Sequence, residues 1–217
     1  MARIELVNQI LSVSNKARIA TFLTTDKDRW NVKGKEAMNR SAVLVPICSY
    51  RGKLSLLFTI RNVNLSSHKG QVSFPGGHES PGDEYPIGTA IRETREEIGL
   101  CINREDVIAC IGPVPNRKLV KNIAAVIADI GEVNEDSLTL NTNEVSEIFF
   151  LSFETILTEK NQRYTIFRNF RHFGMPVFLG GPRHIWGLTG TILDIVLEMI
   201  LPEQLEYKPI RLRPWKK

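Results

Sequence analysis

Two kinds of apolar run alternate along this chain. Residues 41–50 (SAVLVPICSY) and 53–61 (KLSLLFTIR) are apolar stretches of strand length, and the Gly52 between them predicts a hairpin. Residues 119–130 and 145–151 predict further strands, and Gly112, Pro113 and Pro115 break the chain ahead of them. Elsewhere the spacing is helical. Leu6, Ile10 and Val13 predict a helix within residues 1–23, followed by a polar, Lys-rich connector over 24–40. Ser152, with Thr155 nearby, opens a predicted helix through SFETILTEKNQ, and residues 163–179 read as extended. Residues 185–201 are largely apolar, interrupted by the charges of Asp194 and Glu198 four residues apart, and predict an amphipathic helix packed on the domain.

Strands, a helix, strands again and another helix make an α+β chain, a mixed α/β sandwich. At 217 residues it is long enough for one full core with extensions. The expected division is a helical extension over 1–39, a folded domain over 40–201 and a basic tail over 202–217.

The chemistry concentrates in residues 74–100, FPGGHESPGDEYPIGTAIRETREEIGL. Ala90, Ile91 and Thr94 form an inward set on a short helix that Gly99 stops. Glu93, Glu96 and Glu97 then stand at i, i+3 and i+4, with three carboxylates on one face. Like charges so placed repel, by roughly a few tenths of a kcal/mol per pair on an open surface. Mg²⁺ or Mn²⁺, hard cations that take oxygen ligands, offset such repulsion. For an isolated charge run of this kind, a solvated face of good helix formers is the competing reading. Here Gly76-Gly77 before the run and Gly99 after it punctuate a loop–helix–loop.

With these residues the chain resembles the Nudix hydrolase family, whose signature is G-x5-E-x7-R-E-U-x-E-E-x-G-U, with U apolar. Gly77, Arg92, Glu93, Glu96, Glu97, Gly99 and Leu100 match it. The loop is one residue longer than the signature, so either Asp83 or Glu84 fills the first acidic position, and Thr94 takes an apolar slot. The resemblance implies a mixed sheet flanked by helices, and a cation held by Glu93, Glu96, Glu97 and the Gly77 carbonyl. It gives Arg92 the task of orienting the carboxylates and leaves Glu93 or Glu97 as general base. Glu144 is a reserve candidate for base or extra ligand; its competing reading is a solvent-facing residue at a strand start.

Upstream, residues 56–77 (LLFTIRNVNLSSHKGQVSFPGG) resemble the extra motif of the coenzyme A diphosphatase branch of the family, mitochondrial type. Leu56, Leu57, Arg61, Leu65, His68, Gly70, Val72, Phe74, Pro75, Gly76 and Gly77 fit, with the expected Thr displaced to Thr59. Arg61, His68 and Lys69 around a Gly-containing turn suit phosphate oxygens. Taken singly, Arg61 is equally a strand-end residue paired with a carboxylate, and His68 a satisfied loop histidine. The resemblance implies substrate binding by Arg61, His68, Lys69, Gly70, Phe74 and Gly76. It also implies hydrolysis of coenzyme A or its thioesters to 3′,5′-ADP and (acyl-)4′-phosphopantetheine. Tyr164, Phe167, Phe170, Phe173 and Trp186 are expected mainly in the core, with a pantetheine or acyl channel as the alternative.

A net charge of +4 suits a polyphosphate-bearing small molecule and is too weak to argue for nucleic acid. Cys48, Cys101 and Cys110 are unevenly spaced, so buried reduced thiols are expected rather than a disulfide framework or zinc site. No apolar run is long enough to predict a membrane span. Residues 1–23 hold Arg3, Lys16 and Arg18 against Glu5, which fits a short mitochondrial presequence as well as an ordinary docked helix. The C-terminal RLRPWKK lacks a Ser-Lys-Leu type peroxisomal address.

Overall fold

The computed structural model describes residues 5, 7–21, 40–114, 122–166, 174–205 and 207–210. Strands β1 (Arg40–Tyr50) and β2 (Lys53–Arg61) form the expected hairpin, turned at Arg51-Gly52 with both residues at positive φ. The two strands pair only from Ile47↔Leu56 to Tyr50↔Lys53. Beyond that point they part, and the segment carrying β3 (Val72–Ser73) and β4 (Gly76–His78) fills the fork. There β3 pairs with Thr59 and Ile60 of β2, while β4 pairs with Ser41–Val43 of β1.

On its other edge β1 runs parallel to β6 (Asn122–Glu132), with Val45 beside Ile127, and β5 (Val107–Val114) is antiparallel to β6. The outer edge of β2 takes β7 (Val145–Ser152), also antiparallel. The resulting mixed sheet is covered on both faces, which is why β1 and β2 read as near-continuous apolar runs. Ala42 and Leu44 pack with Ala90 on one side; Val45 and Ile47 join the larger cluster on the other. A second sheet pairs β8 (Gln162–Ile166) with β9 (Gly174–Phe178).

Four helices complete the described chain: α1 (Val13–Ala20), α2 (Ile87–Ile98), α3 (Phe153–Leu157) and α4 (Gly187–Ile200). Ser152 caps α3 by accepting from the Thr155 N–H, as its sequence position predicts. That helix is shorter than expected: it ends at Thr158, whose backbone is extended, and a 3-10 turn follows. β5 was not legible in the sequence. Gly112 and Pro113 read there as breakers, yet they fall at a register shift between Ile111 and Val114, where an irregular ladder tolerates them.

The N-terminal segment is helical at Glu5, Val7 and Asn8 and again in α1, rather than one helix through 23. Ser12 caps α1, accepting from Asn15 N. Ile10 and Ile19 are fully buried, worth about 1.5–3 kcal/mol each by apolar burial alone. Asn15 Nδ2 donates to the carbonyls of Ile10 and Ile200, and Arg18 Nη2 to those of Met199 and Leu201. The last carbonyls of α4, otherwise orphans, are thus capped from α1.

Asp194, one of the two acids that interrupt the apolar run of α4, is buried, accepting from Tyr207 Oη and Ile210 N. That anchorage folds Leu205 and Ile210 into the main core. Cys48 and Cys110 are buried free thiols, but Cys101 is exposed. Among the described residues no helix is long and apolar enough to cross a membrane.

Candidate active site

The fork between β1 and β2 fixes the glycines. Pro75 O accepts from Leu44 N, so the chain from Phe74 to Gly77 is drawn tight against β1. A Cβ on Gly76 would fall 2.4 Å from Ala42 O and 2.5 Å from Val43 Cα, which only a glycine avoids. Gly76 also sits at φ 149°. Its N–H is left pointing at helix α2 and donates to Glu97 Oε2 at 3.1 Å.

Helix α2 ends at Gly99 in the left-handed conformation, its N–H bonded to Arg95 O. Buried Ala90, Thr94 and Ile98 seat it on the sheet, and Thr94 fits its apolar slot because its hydroxyl donates to Ala90 O. The three glutamates then meet different surroundings. Glu97 is 2% exposed, Glu93 lies over Gly77 with Oε2 2.3 Å from where a Cβ would be, and Glu96 is 55% exposed.

Arg92 holds this side of the site together. It makes a bidentate pair with Asp83 and donates to Glu93 Oε1 at 2.9 Å, Glu96 Oε2 at 2.8 Å and His78 O at 2.9 Å. Asp83 also accepts from Ser80 N and Thr89 Oγ1. Arg92 holds the Asp83 carboxyl down at about 2. The first acidic position of the signature is therefore filled by Asp83, while Glu84 pairs with Arg104 out at the surface.

Burial pushes the Glu97 carboxyl up to about 7, against the pull of the Gly76 N–H and of Arg61. Glu93 is raised as well, by burial first, with Arg92 opposing. The charge of Glu144 reaches both carboxylates and raises both. Its loop explains how. Thr139 N and Asn141 N accept the exit of α2, donating to Ile98 O and Glu97 O, and Asn62 N donates to Glu144 O. Asn141 Nδ2 reaches Glu144 Oε1 at 3.4 Å. Glu144 is thus tied to the site rather than turned to bulk solvent. Asn141 was missed in the sequence; the Asn-Thr-Asn-Glu run, in which Asn143 N donates to Asn141 Oδ1, is the Asx-turn signal that marks it.

Arg61, the last residue of β2, brings the upstream motif to this place: its Nη1 is 4.0 Å from Glu97 Oε1. His68, Lys69 and Gly70 lie on the turn that follows, with Gly70 N bonded to Arg61 O and His68 Nδ1 near Gln71 Oε1. Phe74, expected at the substrate, is instead a core residue, 2% exposed and stacked on Phe58 at 4.7 Å. Thr59 is buried and ties β2 to Ser73, a structural role for the displaced Thr. Tyr164 and Trp186 are exposed at 37% and 42%, so neither is core; Phe167, Phe170 and Phe173 lie outside the described residues.

The donor set suits a hard cation: all-oxygen carboxylates, mutually repelling, one of them buried and only partly neutralised. Among the described residues, no three acidic, His or Cys side chains converge as a finished cation cage. Glu93 and Glu96 are both paired with the Arg92 guanidinium.

A model of the NUDIX domain matches residues 38–170. The mitochondrial coenzyme A diphosphatase NUDT8 of Homo sapiens is 43% identical over 165 residues, covering 75% of this chain and 70% of that protein. The Mus musculus protein of the same name is 44% identical over 165 residues, covering 75% and 78%. The peroxisomal coenzyme A diphosphatase NUDT7 of Mus musculus is 31% identical over 178 residues, covering 78% and 74%. Among solved structures, a MutT/nudix family protein from Enterococcus faecalis superposes with a TM-score of 0.52 at 14% identity, over 86% of this chain and 74% of that one, a likeness of fold alone. By its signature helix, its mixed sheet and these matches, the chain belongs to the Nudix hydrolase family.

Proposed function

We propose that this protein is a metal-dependent diphosphatase that hydrolyses coenzyme A or its thioesters. Water adds to one phosphorus, the P–O–P bridge breaks, and the products are 3′,5′-ADP and (acyl-)4′-phosphopantetheine. One observation carries the reading: Arg61, from the coenzyme A-type motif, faces Glu97, from the hydrolase helix, at 4.0 Å. The two motifs meet at one site, and relatives at 43% and 44% identity bear the matching name.

Nudix hydrolases generally need divalent cations; Mg²⁺ or Mn²⁺ is the proposed ion, held by Glu93, Glu96, Glu97 and the Gly77 carbonyl. When bound, it neutralises diphosphate oxygens and makes water a better nucleophile at neutral pH. The chain's own contribution is orientation and proton transfer. Arg92, fixed by Asp83, sets the positions of Glu93 and Glu96. Glu93 or Glu97 takes the proton of the attacking water, and the charge of Glu144 acts on both. Arg61, with His68 and Lys69 on the exposed turn, supplies cationic and N–H donors to phosphate groups. The proposed compartment is the mitochondrion, after the relatives' names, with α1 kept as part of the folded domain.

Product analysis tests this. Purified protein with Mg²⁺ or Mn²⁺ is given coenzyme A, an acyl-coenzyme A, NADH and ADP-ribose in parallel. Release of 3′,5′-ADP from the coenzyme A substrates at far higher kcat/KM is expected. Preference for NADH or ADP-ribose would keep the hydrolase and reject the substrate, and no turnover with any would reject catalysis.

A further inference from the structure

Two arginines face the carboxylates of α2, and they are bound very differently. Arg92 is hydrogen-bonded through all three of its nitrogens, to Asp83, Glu93, Glu96 and His78 O. Arg61 is not. Its Nε is buried with no hydrogen-bond partner among the described residues, and its one ion pair, with Glu97, is 4.0 Å long. Such a separation gives Coulomb attraction without a hydrogen bond. Glu97 in turn has a single close donor among the described residues, Gly76 N. Leaving Glu97 costs the guanidinium no hydrogen bond, and any anion that reaches its unmet N–H improves its position.

We propose that Arg61 is a stand-in counter-ion for Glu97, which a divalent cation displaces and which then turns its N–H donors to the diphosphate. The inference rests on the metal-dependent diphosphatase reading above. A divalent ion arriving at Glu97 puts two positive charges beside a guanidinium already there, so the ion and Arg61 compete for one carboxylate. Once displaced, Arg61 holds a full charge and free donors next to the place where diphosphate oxygens bind. Cation binding and substrate binding are thereby coupled through one side chain, each favouring the other.

The test is Mn²⁺ binding to the chelator-stripped full chain without substrate, read from the free-ion electron paramagnetic resonance signal. Wild type, Arg61→Gln, Arg61→Lys and Glu97→Gln are compared after melting curves show each folded. Arg61→Gln is expected to bind Mn²⁺ about 3- to 10-fold more tightly, since a repelling charge has gone. Arg61→Lys, which keeps that charge, should return to the wild-type affinity. In Arg61→Gln the KM for coenzyme A should rise, so affinity for metal and for substrate move in opposite directions, as a packing defect would not make them. Unchanged or weaker Mn²⁺ binding in Arg61→Gln, with a loss in Glu97→Gln, would overturn the competition and leave the hydrolase reading standing. An affinity indifferent to Glu97→Gln would overturn both. Should Arg61→Gln fail to fold, Arg61→Met, which keeps an aliphatic stem without the charge, carries the same comparison.

Discussion

The carboxylate of Glu93 occupies the space that a side chain on Gly77 would need: Oε2 is 2.3 Å from the ideal Cβ position. The obstacle is the far end of a flexible side chain, so Gly77→Ala should leave the fold intact and push Glu93 aside. Turnover is expected to fall at least ~10-fold, with little change in melting temperature. Gly76→Ala meets backbone on the neighbouring strand at 2.4 Å and a strained φ, and should cost about 2–4 kcal/mol of stability. Paired activity assays and melts separate the two; equal loss of stability in both would contradict the geometry.

Glu97 gives a pH signature to the cation-free protein. Burial pushes its folded carboxyl up to about 7, against an ordinary value of 4.5. Between those values the folded chain keeps a proton that the unfolded chain has lost, so stability falls as pH rises through that window. The loss is about 3 kcal/mol across it, and the raised Glu93 adds in the same direction. In chelator, melting temperature should drop from pH 5 to pH 8. Glu97→Gln should flatten that drop and melt higher than wild type at pH 8, while lowering turnover with metal by at least ~10²-fold. Parallel melting profiles for the two proteins would show that the buried carboxyl is not the source.

Asp83 and Glu84 are adjacent acids with unequal weight. Asp83 is bound by Arg92, Ser80 N and Thr89, and its carboxyl, held at about 2, stabilises the fold at every pH above about 4. Asp83→Asn should destabilise by about 1–3 kcal/mol and lower turnover by releasing Arg92. Glu84 pairs with Arg104 in the open, and Glu84→Gln should change stability by under ~0.5 kcal/mol. Chemical denaturation of both variants decides; a larger effect at Glu84 would reverse the assignment of the signature's first acid.

Arg18 and Asn15 bind the end of α4 from α1. Arg18→Ala removes two carbonyl caps and should cost about 1–3 kcal/mol, without a matching change in KM. A variant as stable as wild type would mean that α1 is not integral to the fold.

How far the sequence carried varies with how local each cause is. The hairpin, the caps at Ser152 and Gly99 and the carboxylate spacing are written in neighbouring residues, and they appear where the residues put them. The choice between Asp83 and Glu84 depends on where Arg92 reaches across a loop, and no count along the chain supplies that. Asp194 reads only as an interruption of an apolar run, because its partners, Tyr207 and Ile210, lie beyond the helix. Phe74 sits within a motif associated with substrate, yet its ring serves the core under the site, and the motif alone does not separate the two uses. Glu96 shares its helix face with the other two glutamates by spacing, but spacing does not show that it is the most exposed of the three and paired with Arg92.

The parallel pairing of β1 with β6 also sets when this enzyme can exist. The fork, the glycines, α2 and its glutamates all lie in the stretch that the contact of Val45 with Ile127 closes. Closing so long a loop is entropically slow, and its reward comes only when both strands are present. β6 must therefore be made before β1 has its parallel partner, and a fragment ending at Leu100 would hold the whole signature run without the strand that β1 pairs along most of its length.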